Sequence, residues 1–103
     1  MTRLAPPIDV FYEERDLGAF AVVEVELAGI DPDQVELDVE GRVVELRGVR
    51  VPPDAGRRVY QQTGIARGEF STHVELGADV DADGARATYR DGILRVELPL
   101  VAS

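Results

Sequence analysis

Ala87-Thr88-Tyr89-Arg90-Asp91-Gly92-Ile93-Leu94-Arg95-Val96-Glu97-Leu98-Pro99 decides the fold. Asp91-Gly92 is a tight-turn dipeptide whose glycine accepts positive φ. After it, Leu94, Val96 and Leu98 alternate with Arg95 and Glu97 until Pro99 stops the run. Alternation at period two puts the apolar side chains on one face of a strand and the charged ones on the other. The stretch reads as a hairpin leading into a half-buried strand. Any β-sandwich could carry such a unit, so the neighbouring sequence has to place it.

Outward from this hairpin, period-two alternation recurs about every ten residues, whereas no long stretch repeats at 3.6 residues. Val35, Leu37 and Val39 alternate with Glu36, Asp38 and Glu40; Gly41-Arg42 turns the chain; Val44 and Leu46 then alternate with Glu45 and Arg47. Phe70, Thr72, Val74 and Leu76 form another face, and Ala85, Ala87 and Tyr89 another. Five or more such strands with short polar turns predict an all-β chain of two packed antiparallel sheets. Residues 51–56 (V-P-P-D-A-G) leave the sheet, because consecutive prolines lack ladder donors. Residues 57–63, with Val59 and Tyr60, are then either a strand away from the main sheet or a long surface loop without a partner.

At 103 residues the chain is expected to form one domain, residues 1–103 with a core of about 7–100. No cysteine is present, which removes disulfides, Cys-based zinc sites and thiol nucleophiles and points to the cytoplasm. The net charge of −9, from 20 acidic and 11 basic residues, would repel a phosphate backbone, so no nucleic-acid partner is expected. No apolar run is long enough for a membrane span, and the first residues lack a signal-peptide core. The same negative charge keeps soluble a protein that exposes apolar surface.

Candidate chemistry fails on its own terms. Asp79-Val80-Asp81-Ala82-Asp83-Gly84 opens like a calcium loop, but its twelfth position, where a bidentate carboxylate is needed, is Arg90. His73 is the only histidine, so a histidine-rich metal site is impossible, and Thr72 beside it in a strand points to the other face. Gly64 and Gly68 lack both the order and the following helix of a phosphate loop. No metal, no cofactor and no enzymatic activity are expected.

The run A-x-x-x-D-G-I-L at residues 87–94 resembles the signature of the small heat-shock proteins, and the order of parts over roughly residues 7–100 resembles an α-crystallin domain of the bacterial and plant type. Residues 7–14 resemble its opening strand, residues 22–35 its strand, bend and acidic turn, residues 43–50 its "n-V-L-x-I-x-G-x-R" strand, and Gly68-Glu69-Phe70 its G-x-F. The resemblance implies an immunoglobulin-like antiparallel sandwich with a projecting dimerisation loop or strand. It also implies an ATP-independent holdase of the stress response that binds unfolding client proteins. A groove for clients or tail anchors would be lined by Val35, Leu37 and Val39 and, on its other wall, by the strand Ala85 to Tyr89, with Ala85 and Ala87 as candidates and its contributing face left open, although Leu37 and Val39 could be ordinary core. A homodimer by strand exchange would join Arg58, Val59, Tyr60, Gln61 and Gln62 of one copy to Ile8, Val10 and Tyr12 of the other. Asp91 and Gly92 are the structural turn.

Two departures weaken that carry-over: Thr72 stands where the family often has arginine, and Gly64-Ile65 where it has an E-R pair at dimer-forming positions. The family's long N-terminal arm and C-terminal I-x-I tail are expected to be essentially absent, with Leu98-Pro99-Leu100 at most a degenerate anchor. A CS-type co-chaperone domain or another protein-binding sandwich is the alternative that shares the fold but lacks the pairing strand and the A-x-x-x-D-G-I-L run.

Overall fold

The computed structural model describes residues 6–50, 57–59, 61–62 and 68–101. Each alternating run becomes a strand: β1 (Ile8–Arg15), β2 (Gly18–Glu26), β3 (Glu36–Glu40), β4 (Val43–Arg50), β5 (Gly68–Glu75), β6 (Arg86–Arg90) and β7 (Ile93–Pro99). Two antiparallel sheets result, one in the order β1-β2-β7-β6 and one in the order β3-β4-β5. The all-β sandwich expected from the sequence is the observed architecture.

The core lies between the sheets. Ala21, Val23 and Val25 of β2 and Leu94, Val96 and Leu98 of β7 meet Val44, Leu46 and Phe70 from the facing sheet. Each of these Val, Leu and Phe side chains contributes about 1.5–3 kcal/mol through removal from water. β2 is the most deeply placed strand, since Val22, which points to the other face, is also fully buried. Gly48 lies opposite Phe70 in the ladder, and a Cβ there would come within 2.6 Å of the Phe70 ring. The missing side chain is the space the ring fills.

Turns follow the sequence. Asp91 and Gly92 take φ of 54° and 79°, the two positive values of a type I′ hairpin, and pair Arg90 with Ile93. The Gly92 carbonyl accepts the Leu27 N–H at 2.8 Å, which docks this hairpin on the end of β2. Two acidic segments become short 3-10 turns, at Pro32–Gln34 and Ala82–Gly84. The Asp31 and Asp81 side chains cap them by accepting the N–H of Asp33 and of Asp83, each at 3.0 Å. The calcium-like D-x-D-x-D-G run is thus a capped turn that feeds β6.

The structure also places two segments that the sequence left open. Leu98-Pro99-Leu100 is no free anchor: Leu98 is fully buried in β7 and Leu100 bridges to Val80. Arg57, Arg58, Val59, Gln61 and Gln62 join no strand within the chain, while Tyr60 and Thr63 lie outside the described residues. An extended segment becomes a strand only when its backbone groups meet another edge.

The hairpin geometry yields a direct test. Gly92→Val forces a β-branched residue to positive φ and brings a Cβ to 3.1 Å from that of Ala28. It is expected to cost about 1–3 kcal/mol, a fall in Tm of about 4–8 °C per kcal/mol. Asp91→Pro, which fixes φ near −65°, should be at least as damaging. Thermal melts within a degree or so of the parent for both would refute the turn's role.

Candidate functional site

β3 ends one sheet and β6 ends the other, so each presents a free edge among the described residues. Leu37 and Val39 lie opposite the core residues Leu46 and Val44, and Ala87 and Tyr89 opposite Val96 and Leu94. The odd-numbered side chains of both strands therefore face the interior. Yet Leu37, Val39, Ala85 and Tyr89 are only half-buried, as is Val35 just before β3, and Ala87 is exposed. A residue that faces the interior and still meets solvent marks an open side of the sandwich.

Loop contacts tie the two ends together. Gly41, just after β3, accepts the Val80 N–H at 3.1 Å, and Val80 lies shortly before β6. At these edges the interior-facing residues are large at Leu37 and Val39 and small at Ala85 and Ala87. Tyr89 shares the face of Ala87, and its hydroxyl donates to the Leu27 carbonyl at 2.7 Å. The sequence indicates the strand from Ala85 to Tyr89 without its face, and the register turns Ala87 and Tyr89 inward.

β1 is the other end of the four-stranded sheet. Ile8, Val10 and Tyr12 lie opposite Val25, Val23 and Ala21 and so face inward. Ile8 packs on the core, but Val10 is 39% and Tyr12 50% exposed. The Tyr12 hydroxyl accepts the Gly77 N–H at 2.8 Å, which holds the ring at the mouth of this side. Val59 is wholly exposed, and Arg58, Gln61 and Gln62 are exposed as well. Strand pairing does not bring these residues to β1 within one chain.

An ionic lattice that the sequence does not reveal covers the outer face of the four-stranded sheet. Arg15 bonds Glu13 at 2.8 Å and also Glu97, while Arg95 bonds Glu24 at 2.8 Å and Glu13 at 3.1 Å. The two guanidiniums lie 4.3 Å from the Phe20 ring centre and 5.7 Å from that of Phe11. Val22, opposite Phe11, is sealed beneath. The hydrogen bond from Arg15 holds the Glu13 carboxyl below the ordinary carboxylate value. His73 is exposed on β5 while Thr72 faces Leu46, so the two do not converge. Among the described residues no cluster of acidic groups and histidine could hold a metal ion.

The family model for the Hsp20/alpha crystallin family matches residues 13–103. The 18 kDa antigen 1 of Mycobacterium avium is 37% identical over 84 residues, covering 82% of this chain and 56% of that protein. HSP18.5 from E. histolytica superposes with a TM-score of 0.79 at 28% identity, over 97% of this chain and 91% of that one. The hspA of Xanthomonas axonopodis superposes with a TM-score of 0.78 at 27% identity, over 96% of both chains. The chain spans about half the length of curated relatives that it matches, 56%, 52% and 56% of three mycobacterial antigens.

The lattice makes a prediction about acid. A carboxyl whose folded pKa is depressed contributes stability that is present above its unfolded pKa and lost as pH falls through the folded one. Glu13 should therefore contribute at neutral pH and lose that contribution as pH falls below the ordinary carboxylate range. Urea melts of Glu13→Gln should show a less stable protein at pH 7 and a smaller drop between about pH 5 and pH 3 than the parent. Parallel pH curves for the two proteins would remove Glu13 from the acid response.

Proposed function

The chain belongs to the Hsp20/alpha crystallin family of small heat-shock chaperones, and from that premise we propose that it is an ATP-independent holdase that captures unfolding proteins in the groove between β3 and β6. The observation that carries this is the line of interior-facing yet open residues, Leu37 and Val39 against Ala85 and Ala87, flanked by two free strand edges. An unfolding protein exposes extended segments with apolar side chains and unpaired backbone groups. Such a segment laid on a strand edge gains main-chain hydrogen bonds while its alternate side chains enter the groove. Capture of this kind is driven by burial and mass action, and no step of it consumes nucleotide.

We further propose that two copies form a dimer by strand exchange, with Arg58 to Gln62 of each pairing with residues 8–12 of the other. Support comes from the free edge of β1, the open Val10 and Tyr12, and the fully exposed Val59. A two-fold arrangement would satisfy both edges at once. A binding rather than an enzymatic role, and work in the cytoplasm, are part of the same proposal. No helix among the described residues is long and apolar enough to cross a membrane.

Light scattering of a heat- or reductant-aggregated client, without nucleotide, tests the holdase. The parent should suppress scattering, and Leu37→Asp and Val39→Asp, if folded by circular dichroism, should lose most of that protection. Unchanged scattering with a several-fold excess of parent would overturn the holdase; full protection by folded variants would remove these residues from the site. For assembly, sedimentation of the intact chain should give a dimer, and deletion of residues 51–63 a folded monomer. A monomer at high micromolar concentration, or a dimer that survives the deletion, would end the strand-exchange proposal.

A further inference from the structure

The walls of the groove carry opposite charges on their outward faces. The residues that alternate with Leu37 and Val39 along β3 are Glu36, Asp38 and Glu40, all exposed. Arg47 of the neighbouring strand serves Glu36 at 3.2 Å, Asp38 at 2.6 Å and Glu45 at 3.0 Å. One guanidinium thus stands against three carboxylates, and Glu40 adds a fourth acidic group, so this edge keeps a surplus of negative charge. Along β6 the outward residues are Arg86, Thr88 and Arg90, also exposed.

A segment that extends either edge must place its outward side chains beside these groups. Directly opposed residues on adjacent strands bring their Cβ atoms to about 4.5–5.5 Å, where unlike charges attract and like charges repel. Lysine or arginine at the outward positions would meet carboxylates on β3 but guanidiniums on β6. We propose that β3 is the edge that a bound segment extends, and that Glu36, Asp38 and Glu40 select client segments in which Lys or Arg alternates with apolar residues. This rests on the groove reading above and names the class of segment that the groove takes.

Three features of the molecule agree. The net charge of −9 attracts basic segments before contact. Two of the chain's own alternating runs, Glu36-Leu37-Asp38-Val39-Glu40 and Val23-Glu24-Val25-Glu26, have acidic outward residues and are disfavoured at its own β3 edge, whereas Arg86-Ala87-Thr88-Tyr89-Arg90 is of the admitted class. Charge at an open strand edge is also how folded proteins avoid indiscriminate edge pairing, and here it leaves one sign of partner admitted.

The test uses the full chain and two fluorescent peptides that share apolar residues at alternate positions, one with Lys and the other with Glu between them. Fluorescence anisotropy at low salt should show the Lys peptide binding about tenfold tighter, the size expected from two or three cross-strand charge pairs. The preference should shrink in about 1 M salt, where the Debye length is about 3 Å. It should be largely lost in a Glu36→Gln, Asp38→Asn, Glu40→Gln variant. A control of equal net charge, Glu14→Gln, Asp16→Asn, Glu75→Gln, should retain it. Equal binding of the two peptides to the parent, or a preference that survives the β3 variant or disappears equally in the control, would overturn the proposal while leaving the groove. Binding of neither peptide would overturn the groove reading itself, and this inference with it.

Discussion

The pairing of β2 with β7 is the constraint on which the rest depends. Seven residue pairs, from Phe20 with Pro99 to Glu26 with Ile93, hold these strands side by side at the centre of the larger sheet. In that register Ala21, Val23 and Val25 stand beside Leu98, Val96 and Leu94, so one interior surface is built from two segments about seventy residues apart in the chain. A slip of one residue would turn Glu24, Arg95 and Glu97 inward, and burial of unpaired charge costs far more than a lost methyl group. The register is therefore strongly specified. β1 and β6 then flank this pair, each with one edge paired and one edge free.

Two sheets of unequal strand number cannot cover each other's margins completely. On one side the shortfall leaves Val10 and Tyr12 open, and on the other it leaves Leu37, Val39 and Ala85 half-open and Ala87 exposed. The outer face shows the opposite treatment: Phe11, Phe20 and Val22 are roofed by two arginines and their glutamates. Apolar surface is thus shielded on the sheet face and left accessible along the edges. For a family of chaperones this division has a clear use, because edges offer backbone hydrogen bonds as well as apolar pockets. The same edges are an aggregation hazard, and the carboxylates along β3 restrain it.

Much of this was legible in the chain. Asp91-Gly92 announced a type I′ hairpin because only residues tolerant of positive φ fit it, and both positions take positive φ. The alternation of Leu37 and Val39 with acids gave their facing, which the register confirms. What the alternation could not give is exposure: Ala85 and Ala87 share a face, yet one is half-buried and the other exposed. Nor could it place Val59, Gln61 and Gln62, which belong to neither sheet among the described residues.

By itself, then, the sequence determined what local stereochemistry dictates: the strands, their inward faces, the turns and the sign of charge on each wall. Those follow from period-two geometry, from glycine and proline, and from counting charges. Tertiary structure alone decided which strands become edges, which inward residues stay open, and that Glu13, Glu24 and Glu97 share two arginines. The reason is physical: these properties belong to contacts between segments far apart in the chain, and a side chain's neighbours across a sheet are set by register and packing rather than by its own residue type.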